Sequence, residues 1–242
     1  MTSEGDAPAP LSPSELGTKE YWDGLYAREL DNHAACPSDT GTDWFSETEA
    51  STKMAELAEE DDEAGGEKKQ RAALLDLGCG NGSLLRSFRT EGWKGRALGV
   101  DYSPHSIALS RRVGEADAVE WAVMGWDVVL DKGTFDAVSL ARPPASDESG
   151  GEEIAPRPCA AYVDRVRRLT RPRGGIFIIT SCNWTEDELI RWFAGRVPRG
   201  SQGGGDDEDE ARFEVAGTAR YRSFSFGGHK GQAVSTVCFR RL

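Results

Sequence analysis

The stretch "LLDLGCGNGSLL", residues 74–85, constrains the fold of this chain more than any other part of it. Leu74, Leu75 and Leu77 form an apolar run typical of a buried parallel strand, and residues 83–88 begin a helical pattern. Between them stand three glycines at alternate positions. Such a turn lets a ligand approach the backbone at a helix N-terminus. The stretch therefore predicts a strand, a glycine turn and a helix that together bind a ligand.

A dinucleotide is the usual ligand of such a turn, but two residues argue against it. The dinucleotide fingerprint needs a third glycine where this chain has Ser83. Asp76, at the end of the strand, would repel a pyrophosphate, yet it could hold an ammonium. S-adenosylmethionine has no phosphate and carries an ammonium, a carboxylate and a sulfonium, so we predict it as the ligand. A structural glycine turn with a solvated Asp76 is the alternative.

A second acid supports a nucleoside ligand. The stretch "RALGVDYSPHSIALS" predicts a short strand, then Asp101, then a helix with Pro104 at its first position. Asp101 follows the glycines at about the 20-residue spacing at which an acid meets a ribose diol. Tyr102 could pack on the adenosine, although Asp101 could instead serve only the start of the helix. The predicted cofactor-binding residues are Asp76, Gly78, Gly80, Asn81, Gly82, Asp101, Tyr102 and Trp44.

Length and patterning predict one α/β domain. At 242 residues the chain can bury a large core. Strands alternate with helices, which predicts a doubly wound, mostly parallel sheet with an antiparallel C-terminal strand. We expect a disordered tail over residues 1–13 and a single domain over residues 14–242. No apolar run approaches the ~18 residues of a membrane helix, and the N-terminus has the features of neither a secretory nor a mitochondrial signal.

The net charge of −12 comes mostly from two acidic runs, "EEDDE" at 59–63 and "DDEDE" at 206–210. Both lie beside glycines and predict disordered loops over residues 59–69 and 200–210. The rest of the chain is nearly neutral, which argues against nucleic acid but is compatible with a basic protein substrate. The five cysteines and three histidines are scattered, so we expect reduced thiols, no disulfide and no metal site.

Seven stretches then carry a resemblance that spans nearly everything from residue 14 to residue 242. They are "SELGTKEYWD", "DTGTDWF", "LLDLGCGNGSLL", "GVDYSPHSIALS", "WDVVLDKGTFDAVSL", "ITSCNWTEDEL" and "FSFGGHKG". With them the chain resembles the seven-stranded class I methyltransferases, and among these the family that methylates a lysine of translation elongation factor 1-alpha. The resemblance implies a Rossmann-like fold, S-adenosylmethionine as cofactor and this elongation factor as protein substrate. We expect a cytoplasmic monomer that binds neither nucleic acid nor membrane.

The same resemblance implies an acceptor side after the fourth strand of that fold. Methyl transfer to an amine needs a neutral, aligned amine, although free lysine has a pKa near ~10.4. We expect Asp131 to dock the ammonium and Asn183 to accept a hydrogen bond from the amine. We expect aromatic side chains, Phe135 among them, to wall the lysine channel or face the sulfonium. Core packing is the alternative for each aromatic residue, and a turn leading into a helix is the alternative for Asn183. The four candidate aromatic residues are Trp44, Phe45, Phe135 and Trp184.

One feature departs from the family pattern. "AVEWAVM" ends at Met124 and "WDVVLD" begins at Trp126, so one residue separates the predicted third and fourth strands. A crossover between them takes at least ~10–12 residues with its helix. We therefore expect a truncated crossover, with the third strand absent, displaced or merged with the fourth, and an adenine pocket open on that side.

Four other functions compete with this interpretation. A DNA or glutamine amino-methyltransferase would carry an Asn/Asp-Pro-Pro-aromatic motif where this chain has "DKGT". A dehydrogenase is disfavoured by Ser83 and Asp76. A cofactor-binding module without activity stays open, as does a methyltransferase acting on another small-molecule or protein amine.

Overall fold

A six-stranded sheet forms the centre of the fold, in a computed structural model that describes residues 8–9, 11–60, 67–114, 126–142, 158–195, 213–226 and 229–242. Its strand order is β2-β1-β3-β4-β8-β5. Strand β8 runs antiparallel to both of its neighbours, while the other adjacent pairs are parallel. This confirms the mostly parallel sheet with an antiparallel C-terminal strand. The six strands are β1 Leu74–Leu77, β2 Ala97–Val100, β3 Val128–Lys132, β4 Ile176–Ser181, β5 Phe213–Thr218 and β8 Ser235–Arg241. Between β5 and β8, strands β6 (Ser223–Phe226) and β7 (His229–Gln232) form a separate antiparallel pair.

Helices connect the strands, and capping side chains fix where two of these helices begin. Thr18 caps α1 by accepting a hydrogen bond from the Tyr21 amide. Thr185 and Glu188 form a capping box at the start of α8. Short 3-10 turns lie at Glu15–Gly17 and Ser46–Thr48. The helices are α1 Lys19–Ala35, α2 Ala50–Glu60, α3 Glu67–Arg71, α4 Ser83–Thr90, α5 Pro104–Val113, α6 Thr134–Ser139, α7 Pro158–Leu169 and α8 Glu186–Phe193.

Each face of the sheet is buried under helices. Because side chains alternate along a strand, Leu74 and Leu75 of β1 contribute to opposite cores, and Val128 and Val129 of β3 do the same. Helices α2 and α4 cover the core that contains Leu74. Helices α7 and α8 cover the core on the other face. Two covered faces are the arrangement of a doubly wound α/β fold.

The described residues bear on two of the four expectations about segments. Both ends of the loop expected over residues 59–69 are helical, because α2 continues through Glu60 and α3 begins at Glu67. The expected tail is anchored before residue 14, because Leu11 packs against the core. The acidic run at 206–210 and the expected third strand at 118–124 lie outside the described residues.

None of the described helices is long and apolar enough to cross a membrane. No group of three or more His, Cys, Asp or Glu side chains there is arranged to hold a metal ion.

Candidate functional site

The candidate site lies at the carboxyl ends of β1, β2 and β3. Strand β1 stands between the other two, with Leu77 paired to Val100 on one side and to Asp131 on the other. In open α/β sheets, ligands bind in the crevice outside these strand ends, where the chain order reverses. A cavity of about 140 Å³ opens there. Its lining residues are Leu16, Trp22, Tyr26, Trp44, Phe45, Gly78, Asp101, Tyr102, Lys132, Gly133, Thr134, Asp136, Ala137, Leu140, Cys182 and Asn183.

The glycine turn requires glycine for its conformation and for its packing. Gly78 and Gly80 have φ values of 69° and 55°, in the left-handed region. A Cβ on Gly78 would overlap the Thr134 hydroxyl, and a Cβ on Gly80 would overlap the Tyr26 hydroxyl. Gly82 is the N-cap of α4, with φ 82°. The turn therefore has no room for a side chain at Gly78 or at Gly80.

Asn81 joins this turn to the segment at residues 40–42. Its side-chain amide donates to the Thr40 and Thr42 carbonyl oxygens, at 2.9 and 3.2 Å. Its side-chain oxygen accepts from the Ser83 amide at 3.0 Å. Asn81 was predicted to bind cofactor, but its side chain is engaged with the protein. Its contribution to the site is to hold residues 40–42 beside the glycine turn.

Asp76 and Trp44 both line a second, smaller cavity of about 20 Å³ beside the glycine turn. Asp76 is 2% exposed, and its Oδ2 atom is buried without a hydrogen-bond partner among the described residues. The Trp44 Nε1–H is likewise buried without a partner there. Burial raises the pKa of Asp76 to about 7, although the nearby Lys132 charge lowers it. An unpaired acceptor and an unpaired donor in one cavity match the ammonium and the carboxylate of an amino-acid group.

Asp101 and Tyr102 lie where the second strand ends, as the sequence predicts. The Gly80 amide donates to Asp101 Oδ2 at 3.1 Å, and the Ser103 amide donates to Oδ1 at 2.8 Å. Asp101 thus holds the glycine turn and the start of α5, and each of its oxygens keeps a further lone pair. Tyr102 is 53% exposed at the cavity rim, with Lys19 Nζ 5.6 Å from its ring centre.

Lys132 is the one cation among the described residues that line these two cavities. Its Nζ atom donates to Asp43 Oδ1 at 2.5 Å, to the Trp44 carbonyl at 2.9 Å and to Ser83 Oγ at 3.5 Å. The Lys132 side chain is 7% exposed. Lys132 therefore joins the end of β3 to the segment that carries Trp44.

The larger cavity also contains side chains that can accept hydrogen bonds from a substrate amine. Asp136 and Asn183 both line it. Asp136 accepts hydrogen bonds from the Ser181 hydroxyl and from the Cys182 amide, the latter at 2.9 Å. Burial raises the pKa of Asp136, and these hydrogen bonds oppose the rise. Phe45 lines the same cavity, facing Gly133, and holds a left-handed φ of 64° that is unusual for an aromatic residue.

The structure places Asp131 differently from the prediction. Asp131 is fully buried, and its oxygens accept from the Thr134 and Phe135 amides and from the Tyr162 hydroxyl. It does not line the cavity described above. Burial raises its pKa to about 8. The role of docking a substrate ammonium therefore does not fit this geometry, because the carboxylate is turned toward the first turn of α6 and toward α7.

Two of the four predicted channel aromatics are core residues. Phe135 has no exposed surface and packs on Trp184, Trp192 and Phe193 at ring-centre distances between 5.1 and 6.0 Å. The packing alternative therefore holds for Phe135 and Trp184. Trp44 and Phe45 do line the cavity.

Lys132, Asp136 and Tyr26 were missed at the sequence level. The first two lie inside the stretch "DKGTFDA", of which only Asp131 and Phe135 are predicted to be site residues. Tyr26 lies on α1, and nothing in the sequence indicates that its hydroxyl approaches Gly80.

Comparison with known proteins gives consistent relatives. Residues 68–202 match the methyltransferase domain family. The protein-lysine N-methyltransferase EFM4 of Saccharomyces cerevisiae is 34% identical, over 96% of this chain and 96% of its own. EEF1A lysine methyltransferase 2 of Danio rerio is 32% identical, over 96% of this chain and 90% of its own. The solved structure of the N-methyltransferase NodS from Bradyrhizobium japonicum WM9, in complex with S-adenosyl-L-homocysteine, covers 91% of this chain and 98% of its own. It is 14% identical with a TM-score of 0.51, which shows a shared fold.

Proposed function

Because this chain belongs to the protein-lysine N-methyltransferase family of EFM4 and EEF1A lysine methyltransferase 2, we propose that it methylates a lysine of translation elongation factor 1-alpha. The methyl donor is S-adenosylmethionine. One structural observation carries the donor side of this proposal: the unpaired Asp76 oxygen and the unpaired Trp44 N–H line one cavity.

The residues of the site fit the cofactor in three parts. Asp76 would hold its ammonium, and the Trp44 N–H would meet its carboxylate. Asp101, at the end of β2, would hold the ribose hydroxyls, with Tyr102 beside the adenosine. When bound, the cofactor supplies an electrophilic methyl group on a sulfonium. The glycine turn lets these groups approach the backbone closely.

On the acceptor side, we assign Asp136 and Asn183 to the lysine. An ammonium that enters between Trp44 and Phe45 leaves water, and desolvation lowers the pKa of an amine. Asp136 can receive the ammonium at Oδ1, which keeps a lone pair beyond the bond from the Ser181 hydroxyl, whereas Oδ2 already accepts from the amide and the thiol of Cys182. The Asn183 side-chain oxygen can then accept a hydrogen bond that aligns the neutral amine for in-line attack.

Asp131 contributes through α6 rather than through the substrate. By accepting from the first two amides of that helix, it fixes where α6 begins. Asp136 lies on the same helix, so Asp131 acts as a positioning residue for it. The channel wall that we assign is Trp44 and Phe45, and Phe135 supports α6 from the core.

The compartment and the oligomeric state are part of the same proposal. We place this protein in the cytoplasm, as a monomer that meets its protein substrate directly. The acidic character of the chain suits a basic substrate and disfavours direct nucleic-acid binding.

A label-transfer experiment tests the proposal. The protein is incubated with methyl-labelled S-adenosylmethionine and purified elongation factor 1-alpha, with other basic proteins such as histones in parallel. We expect label on the elongation factor and none on the other proteins, and Asp76→Ala should abolish it. Label on histones but not on the elongation factor would overturn the substrate, and no binding of S-adenosylhomocysteine would overturn the cofactor.

A further inference from the structure

Residues 40–49 form the segment that carries Trp44, and one side chain from the sheet holds this segment beside the cofactor cavity. Lys132, at the end of β3, donates to the Asp43 carboxylate and to the Trp44 carbonyl oxygen. Ser83, at the start of α4, donates to the same Asp43 oxygen at 2.8 Å. Three elements that are distant in sequence therefore meet at this ammonium.

The held segment has a strained backbone. Phe45 and Glu49 adopt left-handed φ values of 64° and 58° without being glycine. This conformation brings the Cβ of a residue other than glycine too close to a carbonyl oxygen. Strain of this kind persists only where surrounding contacts enforce it. The bonds from Lys132 to Asp43 and Trp44 are the contacts that enforce it on the cavity side.

The Lys132 ammonium also acts on Asp76. Strand register places Asp76 beside Leu130, and Lys132 follows two residues later on the same face of the sheet. Lys132 and Asp76 line the same small cavity. The charge of Lys132 favours the ionised form of Asp76, which is the form that can hold an ammonium.

We propose that Lys132 is a positioning residue that assembles the site for the amino-acid end of the cofactor. It positions the Trp44 N–H for the carboxylate of the cofactor and favours the charged Asp76 that binds the ammonium of the cofactor. This inference rests on the proposed cofactor, and it assigns to Lys132 no contact with the transferred methyl group.

Two ligands separate this role from a general effect on folding. S-adenosylhomocysteine contains the amino-acid end, whereas 5′-methylthioadenosine keeps the adenosine and the sulfur without it. Titration calorimetry on the full chain would give both affinities. Lys132→Met should weaken S-adenosylhomocysteine by on the order of tenfold to a hundredfold, the range for lost hydrogen bonds to charged groups. Its affinity for 5′-methylthioadenosine should change by less than about threefold, a difference within the loss of a single weak hydrogen bond.

A pH profile provides a readout that a purely structural lysine would not move. The charged and titratable groups around Asp76 are Lys132 from β3, Asp101 after β2, Tyr26 from α1, Cys79 in the glycine turn and Tyr162 from α7. In the unaltered protein, affinity for S-adenosylhomocysteine should fall as the pH drops below about 7. Lys132→Met should move this midpoint upward, because Asp76 loses its nearest favourable charge.

Two further variants keep the test decisive if Lys132→Met is unstable. Asp43→Asn cuts the charged contact with the segment but leaves the Lys132 ammonium beside Asp76. It should weaken S-adenosylhomocysteine with no upward shift of the midpoint. Lys53→Met is the matched control, since Lys53 also donates to this segment, at the Thr48 carbonyl at 3.0 Å, but lines neither cavity. It should leave both affinities within about twofold of the original, because its bonds are partly exposed.

The outcomes distinguish this inference from the proposed function. If the unaltered protein does not bind S-adenosylhomocysteine, the cofactor itself is wrong. If it binds, but Lys132→Met and Asp43→Asn weaken both ligands equally, the cofactor stands and the role of Lys132 is overturned. Equal effects of Lys132→Met and Lys53→Met would overturn it as well.

Discussion

Asp76→Asn should stabilise the ligand-free protein more at high pH than at low pH. Burial raises the pKa of Asp76 from 3.8 to about 7. Since the unfolded chain ionises at the lower value, the folded state is destabilised progressively as the pH rises from about 4 to about 7. At ~1.36 kcal/mol per pKa unit, the raised pKa of Asp76 opposes folding by about 4 kcal/mol near pH 8 and by about 2 kcal/mol near pH 5.5, where only the unfolded chain is ionised at this position.

Asparagine has the same shape and no charge at either pH. Its unpaired amide would cost roughly 1–3 kcal/mol, and that cost does not vary with pH. The free energy of unfolding of Asp76→Asn, relative to the unaltered protein, should therefore increase by about 2 kcal/mol between the two pH values. The assay is urea unfolding followed by circular dichroism at both pH values. The control is Glu56→Gln, which removes an exposed carboxylate on α2.

The same variant should lose cofactor. Without the carboxylate charge, position 76 can offer the ammonium only a neutral acceptor, so affinity for S-adenosylhomocysteine should fall at least about tenfold. The same buried carboxylate thus lowers the stability of the ligand-free protein and binds the cofactor. If the stability difference between Asp76→Asn and the unaltered protein is the same at both pH values, the reasoning about Asp76 is refuted.

Three other changes test separate parts of the site. Asp131→Ala should lower the free energy of unfolding by about 3 kcal/mol, because the α6 amides and the Tyr162 hydroxyl lose a buried acceptor. If urea titrations show unchanged stability while turnover is reduced, Asp131 contacts the substrate as the sequence predicts. Asp136→Asn should lower kcat for protein substrate by at least about tenfold, with S-adenosylhomocysteine affinity nearly unchanged, since it touches only the acceptor; equal losses in steady-state kinetics and calorimetry would place it on the donor side. Deletion of residues 206–210 should leave the melting temperature within about 2 °C, because such acidic runs bury little apolar surface; a large decrease in scanning calorimetry would show that they pack.

The donor side of the site was predictable because its signals are local. A glycine turn, the acid before it and the acid after the next strand are read along two short stretches. Asp76 and Asp101 consequently lie where the sequence indicates, and the sheet follows from the alternation of strands and helices. The chemistry of one strand end is set by residues within a few positions of it.

The roles of Asp131 and Lys132 were not predictable in the same way, because they depend on which face of β3 each side chain occupies. Asp131 and Lys132 are adjacent, so they point to opposite faces. The register of β3 with β1 puts Lys132 on the face of Asp76 and turns Asp131 toward Tyr162. A one-residue slip would exchange these roles. The motif "DKGTFDA" contains both Asp131 and Lys132, and only the strand pairing decides which of the two reaches the cavity.

The role of the segment at residues 40–45 was also hidden from the sequence. Its contacts with Asn81, Ser83 and Lys132 join positions about 40 and about 90 residues apart. No local pattern predicts that a loop between two helices covers a turn on the sheet. The sequence indicates Trp44 only as an aromatic residue, whereas the structure shows that its buried N–H has no partner among the described residues.

The most direct test of the central claim is tandem mass spectrometry of elongation factor 1-alpha that lacks the modification, after incubation with this protein and S-adenosylmethionine. We predict methyl groups on the side-chain amine of one lysine, absent without cofactor and absent with Asp76→Ala. An elongation factor that stays unmodified, while the protein binds S-adenosylhomocysteine and methylates another amine, would contradict the proposed substrate.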